Sequence, residues 1–388
     1  MIIQNGLIYN SDFHFSSGTI YIKDGFFSES RDDSDEIIDA SGCYVIPGLI
    51  DIHFHGCMDA DFCDGTMQAL HTIAAWEAAQ GVTAICPATL TLPADELKSV
   101  LANGAAFARM QSSLQAVPAA ERLAEADLIG INMEGPFISP IKKGAQNGAY
   151  ILPCDSGLCL EFLNASDGLV RLIGLAPEEN PDFEDYIRAV RDHVRVSLAH
   201  TNADYDTAIK AFAAGACHAV HLYNAMPEMT HREPGVVGAV RDTPGVFAEL
   251  ICDGNHVHPA VVRAAFDLLS DKRIVLISDS LRAAGMGDGL IMLGGQQVRV
   301  EGTRATLVEG GNLAGSVTSL MNCMRIAVRE MGIPLESAVR CATANPARAI
   351  GVQDRYGFIL PGRRADAVLL DRQDLQVRAV IKDGRRII

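Results

Sequence analysis

Two periodicities divide the chain. Near both ends apolar and polar residues alternate in short runs, the pattern of half-buried strands. IIQNGLIY, GTIYIKDGFF and EIIDASGCYVIP read this way from residue 2 to 46, and so do ADAVLLD and AVIKDGRRII at the other end. Asn5-Gly6, Asp24-Gly25 and Asp383-Gly384 are turn signals between or within these runs. Two β-rich ends around a different middle predict a small β-sandwich domain formed by both termini, residues 1–47 and 355–388, with a larger domain over residues 48–354.

The middle alternates differently. Eight apolar runs can be counted, at 45–52, 82–88, 128–133, 169–175, 194–199, 216–220, 246–251 and 273–278. Helical spacing fills most gaps, as in TMQALHTIAAWEAAQ, DYDTAIKAFAAG and HPAVVRAAFDLLS, and Gly215 closes the second as a C-cap. Eight strands alternating with helices predict an α/β fold, a (β/α)8 TIM-type barrel. A doubly wound sheet competes with it, but no GxGxxG opens a helix after the first strand.

Composition narrows the function classes. The chain has 388 residues, 48% of them hydrophobic, and a net charge of −16 without any cluster of Lys and Arg, which excludes nucleic acid as a partner. No apolar run reaches the ~18 residues of a membrane span, and the N-terminus lacks the features of an export signal, so a cytoplasmic, membrane-free protein is expected. The ten cysteines form no CxxC pair and read as free thiols.

The chemistry sits at the strand ends. The first strand runs into Asp51, His53 and His55, the third into Glu134, the fifth into His200, the sixth into His221, the seventh into Asp253 and His256, and the eighth into Asp279. In a (β/α)8 barrel these positions converge on one mouth. Imidazoles with a carboxylate suit a divalent ion, Zn2+ first and Fe2+, Mn2+ or Co2+ as alternatives, with one or two ions per chain. His53 and His55 are two apart on a strand and share a face. A carboxylate beside an activated water can act as general base, the place Asp279 occupies. A lone histidine at a strand end is usually structural, but this many together argue for a ligand set. His218, three residues before His221, reads as a supporting or core residue. His14, His71, His193 and His231 read as structural or solvated, and His258 as a loop residue at a helix start.

With these residues in view, the sequence resembles the N-acetylglucosamine-6-phosphate deacetylases of the amidohydrolase superfamily. PGLIDIHFHG, EGPFISP with KKGAQNG, AHTNA, HLYNAM followed by HREPG, DGNHVHP, ISDS, LAGS and a closing PGRRADAVLLD carry the likeness over nearly the whole chain. The resemblance implies a metal-dependent deacetylase acting on a small sugar phosphate, with Glu134, His200 and His221 as principal ligands. Asp279 is implied as the catalytic aspartate, taking a proton from the attacking water and returning it to the leaving amine. His53 and His55 match the positions that hold a second ion in some members.

Asn224, Ala225 and Arg232 match residues that hold the phosphate, the arginine reaching into a neighbouring subunit's site, which implies a homodimer or higher oligomer. His256 matches a residue that contacts the sugar and polarises the amide carbonyl, and Ala314 with Gly315 a segment lining the acetyl end. Ala145 and Gln146 fall where members contact the sugar phosphate, and Gln146 replaces a histidine common there. Loss of that charge leaves the epimer open, with N-acetylgalactosamine-6-phosphate as the alternative substrate. Dihydropyrimidinase-like and N-acyl-amino-acid hydrolases typically use a carboxylated lysine after the fourth strand, and VRLIGLAPEEN contains none. A non-catalytic relative would have lost ligands that are all present.

Overall fold

The computed structural model describes residues 1–30, 36–114, 117 and 122–388. Strands β1 (Leu49–Asp51), β2 (Val82–Ile85), β3 (Ile131–Met133), β4 (Val170–Leu175), β5 (Arg195–Leu198), β6 (His218–Ala219), β7 (Phe247–Ile251) and β8 (Ile274–Ile277) match the eight apolar runs. All their ladders are parallel. β3 to β8 pair in sequence order, with Ala88–Thr89 beyond β3, while β1 pairs with β2 and β2 with Asp127–Leu128. Backbone hydrogen bonds join the two sheets on both sides. Asn132 N donates to Pro87 O (2.9 Å) on one side; Asp279 N donates to His53 O (2.9 Å) and His55 N to Ser280 O (2.7 Å) on the other.

The strands are almost wholly buried, as expected for parallel strands covered by helices. Several returning helices start at a side-chain cap offered by the sequence. Thr66 Oγ1 accepts from Ala69 N at the head of Met67–Ala79, and Asp204 Oδ1 from Thr207 N at the head of Tyr205–Ala214. Gly215 ends the latter at φ 128°, a backbone region closed to most other residues. His258 caps Pro259–Leu269 through Nδ1, which fits its reading as a loop residue at a helix start.

Both termini enter one sheet, ordered Arg385–Arg386, Val377–Lys382, Ala367–Asp371, Cys43–Pro47, Ile2–Tyr9, Phe15–Lys23, Phe26–Ser28, with Ile37–Asp39 also paired to Ile2–Tyr9. Its core includes Ile3, Ile8, Ile20, Ile22, Val45, Leu369 and Ile381. Two sequence expectations need correction in this region. Asn5-Gly6 does not turn the chain but breaks the register inside Ile2–Tyr9, where the first half pairs with Ile37–Asp39 and the second with Tyr44–Val45. Asn5 takes φ 68°, and a Cβ on Gly6 would stand 2.8 Å from Val45 Cγ2. The apolar run 45–52 is also not one strand. Cys43–Pro47 belongs to the terminal sheet and β1 to the parallel one, with only Gly48 between; a Cβ there would collide with the Thr83 side chain.

A second tie between sheet and body is buried Lys382. Its Nζ donates to Asp127 Oδ2 (2.9 Å) and Asp366 Oδ2 (3.3 Å), and Tyr356 donates to the same Asp127 oxygen (2.9 Å). A buried ammonium is tolerable only with such partners.

The sequence reading passed over one element. After β8, Gly289–Leu293, Gln296–Glu301 and Arg304–Leu307 form a three-stranded antiparallel sheet. Its apolar side, with Leu293, Val298, Val300 and Leu307, packs on Leu90, Leu281 and Ala314 beside the carboxyl ends of the parallel strands.

Candidate metal centre

Five of the strand ends meet at one point. His53 and His55 follow β1, Glu134 follows β3, and His200, His221 and Asp279 each stand two residues past their strands. The last three adopt left-handed backbone, at φ 44°, 27° and 50°, which is strained for residues carrying a Cβ. Such strain is tolerated where the surroundings over-determine it, and it turns three reactive groups inward.

Glu134 is the hub. Its Oε1 lies 2.9 Å from His200 Nε2, 3.0 Å from His221 Nε2 and 3.2 Å from His53 Nε2; its Oε2 lies 3.4 Å from His55 Nε2. The ring tautomers follow from the other nitrogens. His200 Nδ1 faces Lys142 O (2.8 Å) and His221 Nδ1 faces Asn224 O (3.0 Å), and a carbonyl can only accept. Both Nδ1 atoms therefore carry the proton and both Nε2 atoms present lone pairs, yet these stand 3.2 Å apart against a carboxylate oxygen. His53 Nε2 is likewise buried without a hydrogen bond. Converging lone pairs repel unless a cation sits among them, so the donor set fits a divalent metal in two overlapping groups: Glu134, His200, His221 and His53, His55, Glu134.

Behind this ring lies a residue that sequence reasoning missed. Glu249, buried on β7, takes His53 Nδ1 on Oε2 (2.8 Å) and His218 Nε2 on Oε1 (2.9 Å), and accepts from His221 N (3.1 Å). Burial alone would push this carboxyl up, but His53 and His218 outweigh it and hold the group at about 2. His218 therefore plays the supporting part read for it. The only sequence signal for Glu249 is one acid inside the apolar FAELI. Such outer partners orient ligating imidazoles, so Glu249→Gln should weaken metal affinity ~10–100-fold. Competition with a chelator would measure this, and unchanged affinity would reduce Glu249 to core filling.

Asp279 Oδ1 lies 3.5 Å from His55 Nε2 and 3.8 Å from His53 Nε2. His256 donates from Nδ1 to Asp253 Oδ2 (2.8 Å); burial works against its charge, but Asp253 raises its pKa. His256 and Asp279 both line a cleft of about 410 Å³ above the Glu134 cluster.

Ala145, Gln146, Asn224, Ala225 and Gly315 line this cleft as well, whereas His53 and Asp253, both buried, and Ala314, Arg232 and Asp51 do not. Ala314 is buried against the antiparallel sheet. Arg232 stands exposed on the loop before helix Gly235–Asp242, outside its own chain's cleft. Asp51 turns away from the mouth, accepting from Ser278 Oγ (2.6 Å) and His53 N (3.2 Å), and burial raises its carboxyl to about 7. Gln146 lines the wall, but its amide is spent on Thr91 N and Glu134 rather than offered to a phosphate. Lys142, Leu293, Asn312 and Leu313 join the lining without having been singled out. His14, His193 and His231 are exposed, and His71 is held by Glu125 at 2.7 Å, in keeping with structural or solvated roles.

The model of the amidohydrolase family matches residues 44–387. The chain belongs to the amidohydrolase family. Among curated relatives of this amidohydrolase, the N-acetylglucosamine-6-phosphate deacetylase of Bacillus subtilis (strain 168) is 34% identical over 385 residues, 99% of this chain and 93% of the relative. The N-acetylgalactosamine-6-phosphate deacetylase of Escherichia coli O157:H7 is also 34% identical, over 327 residues, 84% of this chain and 83% of the relative. The solved N-acetyl-D-glucosamine-6-phosphate deacetylase of Mycobacterium smegmatis, an alanine variant in complex with N-acetyl-D-glucosamine-6-phosphate, matches with a TM-score of 0.89 at 29% identity, covering 100% of this chain and 99% of the other. The family member's parallel α/β architecture is thus shared with solved deacetylases. No helix among the described residues is long and apolar enough to cross a membrane.

Proposed function

We propose that this amidohydrolase removes the acetyl group from N-acetylglucosamine-6-phosphate, giving acetate and glucosamine-6-phosphate. The observation that carries the reading is Glu134 Oε1 shared between the bare Nε2 atoms of His200 and His221, with Asp279 beside them on an open cleft. Glu134, His200 and His221 would hold a divalent cation, which would supply Lewis acidity to lower the pKa of a water and polarise the amide carbonyl. Zinc suits three such ligands best, with His53 and His55 available to a second ion.

The chain's own residues do the rest. Asp279, held anionic by His55 despite its burial, accepts a proton from the attacking water and delivers it to the departing nitrogen. His256, fixed by Asp253, donates to the carbonyl oxygen as it gains charge. At the other end Asn224 and Ala225 stand beside Lys142, whose Nζ reaches Met226 O at 3.2 Å, so Lys142 is the cation this chain brings to a phosphate in its own cleft. Arg232 acts from a neighbouring subunit in this reading, which makes the working form at least a homodimer.

The same reading takes the parallel strands as one closed (β/α)8 barrel, supported by the bonds from Asp279 to His53 and from His55 to Ser280. It takes residues 1–47 and 355–388 as the small β-sandwich domain and a reducing cytoplasm as the setting, in keeping with ten free cysteines. The galactosamine epimer is the second substrate reading, favoured by the equally identical relative and by Gln146. Acetate release from both epimers, each with and without the 6-phosphate, tests the assignment; no release from any of the four would sink it.

One expected outcome belongs to the phosphate end. Lys142→Ala and Arg232→Ala should each raise KM for the phosphorylated sugar ~10-fold or more, with far less effect on the unphosphorylated one, since each removes a charge-assisted hydrogen bond to the phosphate. Equal effects on both sugars would remove the residue from phosphate recognition, and an obligate monomer would remove the intersubunit role of Arg232.

A further inference from the structure

The two overlapping ligand groups are not equivalent, and Gln146 is the reason. This side chain is buried, and its orientation is settled by a backbone donor: Thr91 N donates to Oε1 (2.7 Å), so the NH2 group must face the other way. That group lies 2.5 Å from Glu134 Oε2. The two Glu134 oxygens thus have different surroundings. Oε1 faces the Nε2 atoms of His200, His221 and His53, while Oε2 meets an amide donor together with His55 Nε2.

An amide NH2 donates and cannot ligate, and the only ligating atom of Gln146 is already occupied by Thr91. We propose that Gln146 is a positioning residue that makes the metal sites unequal: it pins Glu134 so that Oε1 serves the His200/His221 site, and it weakens the site at His53 and His55. The physical basis is simple. With Oε1 given to His200 and His221, a cation at His53 and His55 would have to draw on Oε2, the oxygen beside His55, and the N–H bond to that oxygen both takes one of its lone pairs and withdraws charge. The first ion therefore meets a preorganised set, and the second must disturb one.

The loop carrying Gln146 strengthens this assignment. Lys142 O in the same turn takes His200 Nδ1–H, and Gln146 N donates to Lys143 O (2.9 Å). A Cβ on Gly144, at φ 54°, would come within 3.3 Å of the His200 ring. A single turn thus orients both an imidazole and the carboxylate of the first site, and contributes nothing that could ligate at the second.

The inference rests on the proposed metal centre but not on the substrate. Metal-free full-length protein is titrated with Zn2+ and separately with Co2+, following calorimetry and the Co2+ absorption bands, with no sugar present. Wild-type protein should bind one ion tightly and a second at least ~10-fold more weakly, the scale of an outer-partner effect. Gln146→Leu, which keeps the bulk and removes the donor, and Gln146→Glu, which replaces the donor with a carboxylate, should both narrow that gap by strengthening the second site. Two variants of different polarity guard against one misfolding, and thermal unfolding of each metal-free form checks this. If both folded variants kept the wild-type ratio, or lost first-site affinity alone, the proposal would be overturned. Failure of the deacetylase reading would show separately, as absent acetate release by wild-type protein with a normal two-step titration.

Discussion

Asp279→Asn should lower kcat by ~10²-fold or more while leaving KM and bound metal nearly unchanged. The asparagine keeps the shape and one acceptor but cannot take up a proton. Amide hydrolysis needs a proton removed from water and another delivered to the leaving nitrogen, and Asp279 is the carboxylate on the cleft wall placed to do both. Its carboxyl is lowered by His55 against the upward push of burial, so it is anionic and ready to accept at neutral pH. The acidic limb of the kcat/KM profile should follow this group: activity is present above its folded pKa and lost as pH falls through it. An Asn variant with native kcat and full metal content would move the proton role elsewhere, His256 being next in line.

Glu134→Gln should have a still larger effect, because it removes the ion itself. In the wild type one carboxylate faces four imidazoles and one amide. A neutral amide would turn either an NH2 or a weaker oxygen toward the bare Nε2 atoms and supply no charge to hold a dication. Metal content should fall towards zero and kcat/KM by ~10³-fold or more, a barrier increase of about 4 kcal/mol. Elemental analysis with acetate-release kinetics would check both. Full metal content in the variant would mean that the histidines alone form the site.

Much of the candidate site could be read in the sequence because its polar groups sit just past the ends of apolar runs, and parallel strands bring such ends together wherever the runs are recognised. His53, His55, Glu134, His200, His221 and Asp279 were all legible this way. Glu249 was not, since an acid within an apolar strand acquires meaning only from His53 and His218, which come from other strands. Gln146 stands out by its place in KKGAQNG, but the sequence carries no sign of which way its amide points, because Thr91 N, 55 residues away in the chain, decides it. Lys142 stood unnoticed in KKGAQNG beside the residue that drew attention. Arg232 is implied by the resemblance to hold a phosphate in a neighbouring subunit's site, and that reach depends on a subunit the sequence of one chain does not describe. The antiparallel sheet at 289–307 alternates in the sequence around a Gly294-Gly295 turn, but it lies beyond the eight strand-and-helix repeats that define the parallel body.

The single residue between Cys43–Pro47 and β1 makes the two chain ends a clasp on the catalytic rim. Gly48 donates to Asp366 O (2.9 Å), and β1 passes directly into His53 and His55. Lys382 ties the same sheet to Asp127, a second anchor of the described ends on the body. Fraying at the termini, ordinarily the cheapest local opening in a protein, would here displace His53 and His55. An ion held by His53 and His55 would therefore report whether the clasp is shut, and heating or limited proteolysis near residue 40 or 370 should release it before the helices melt.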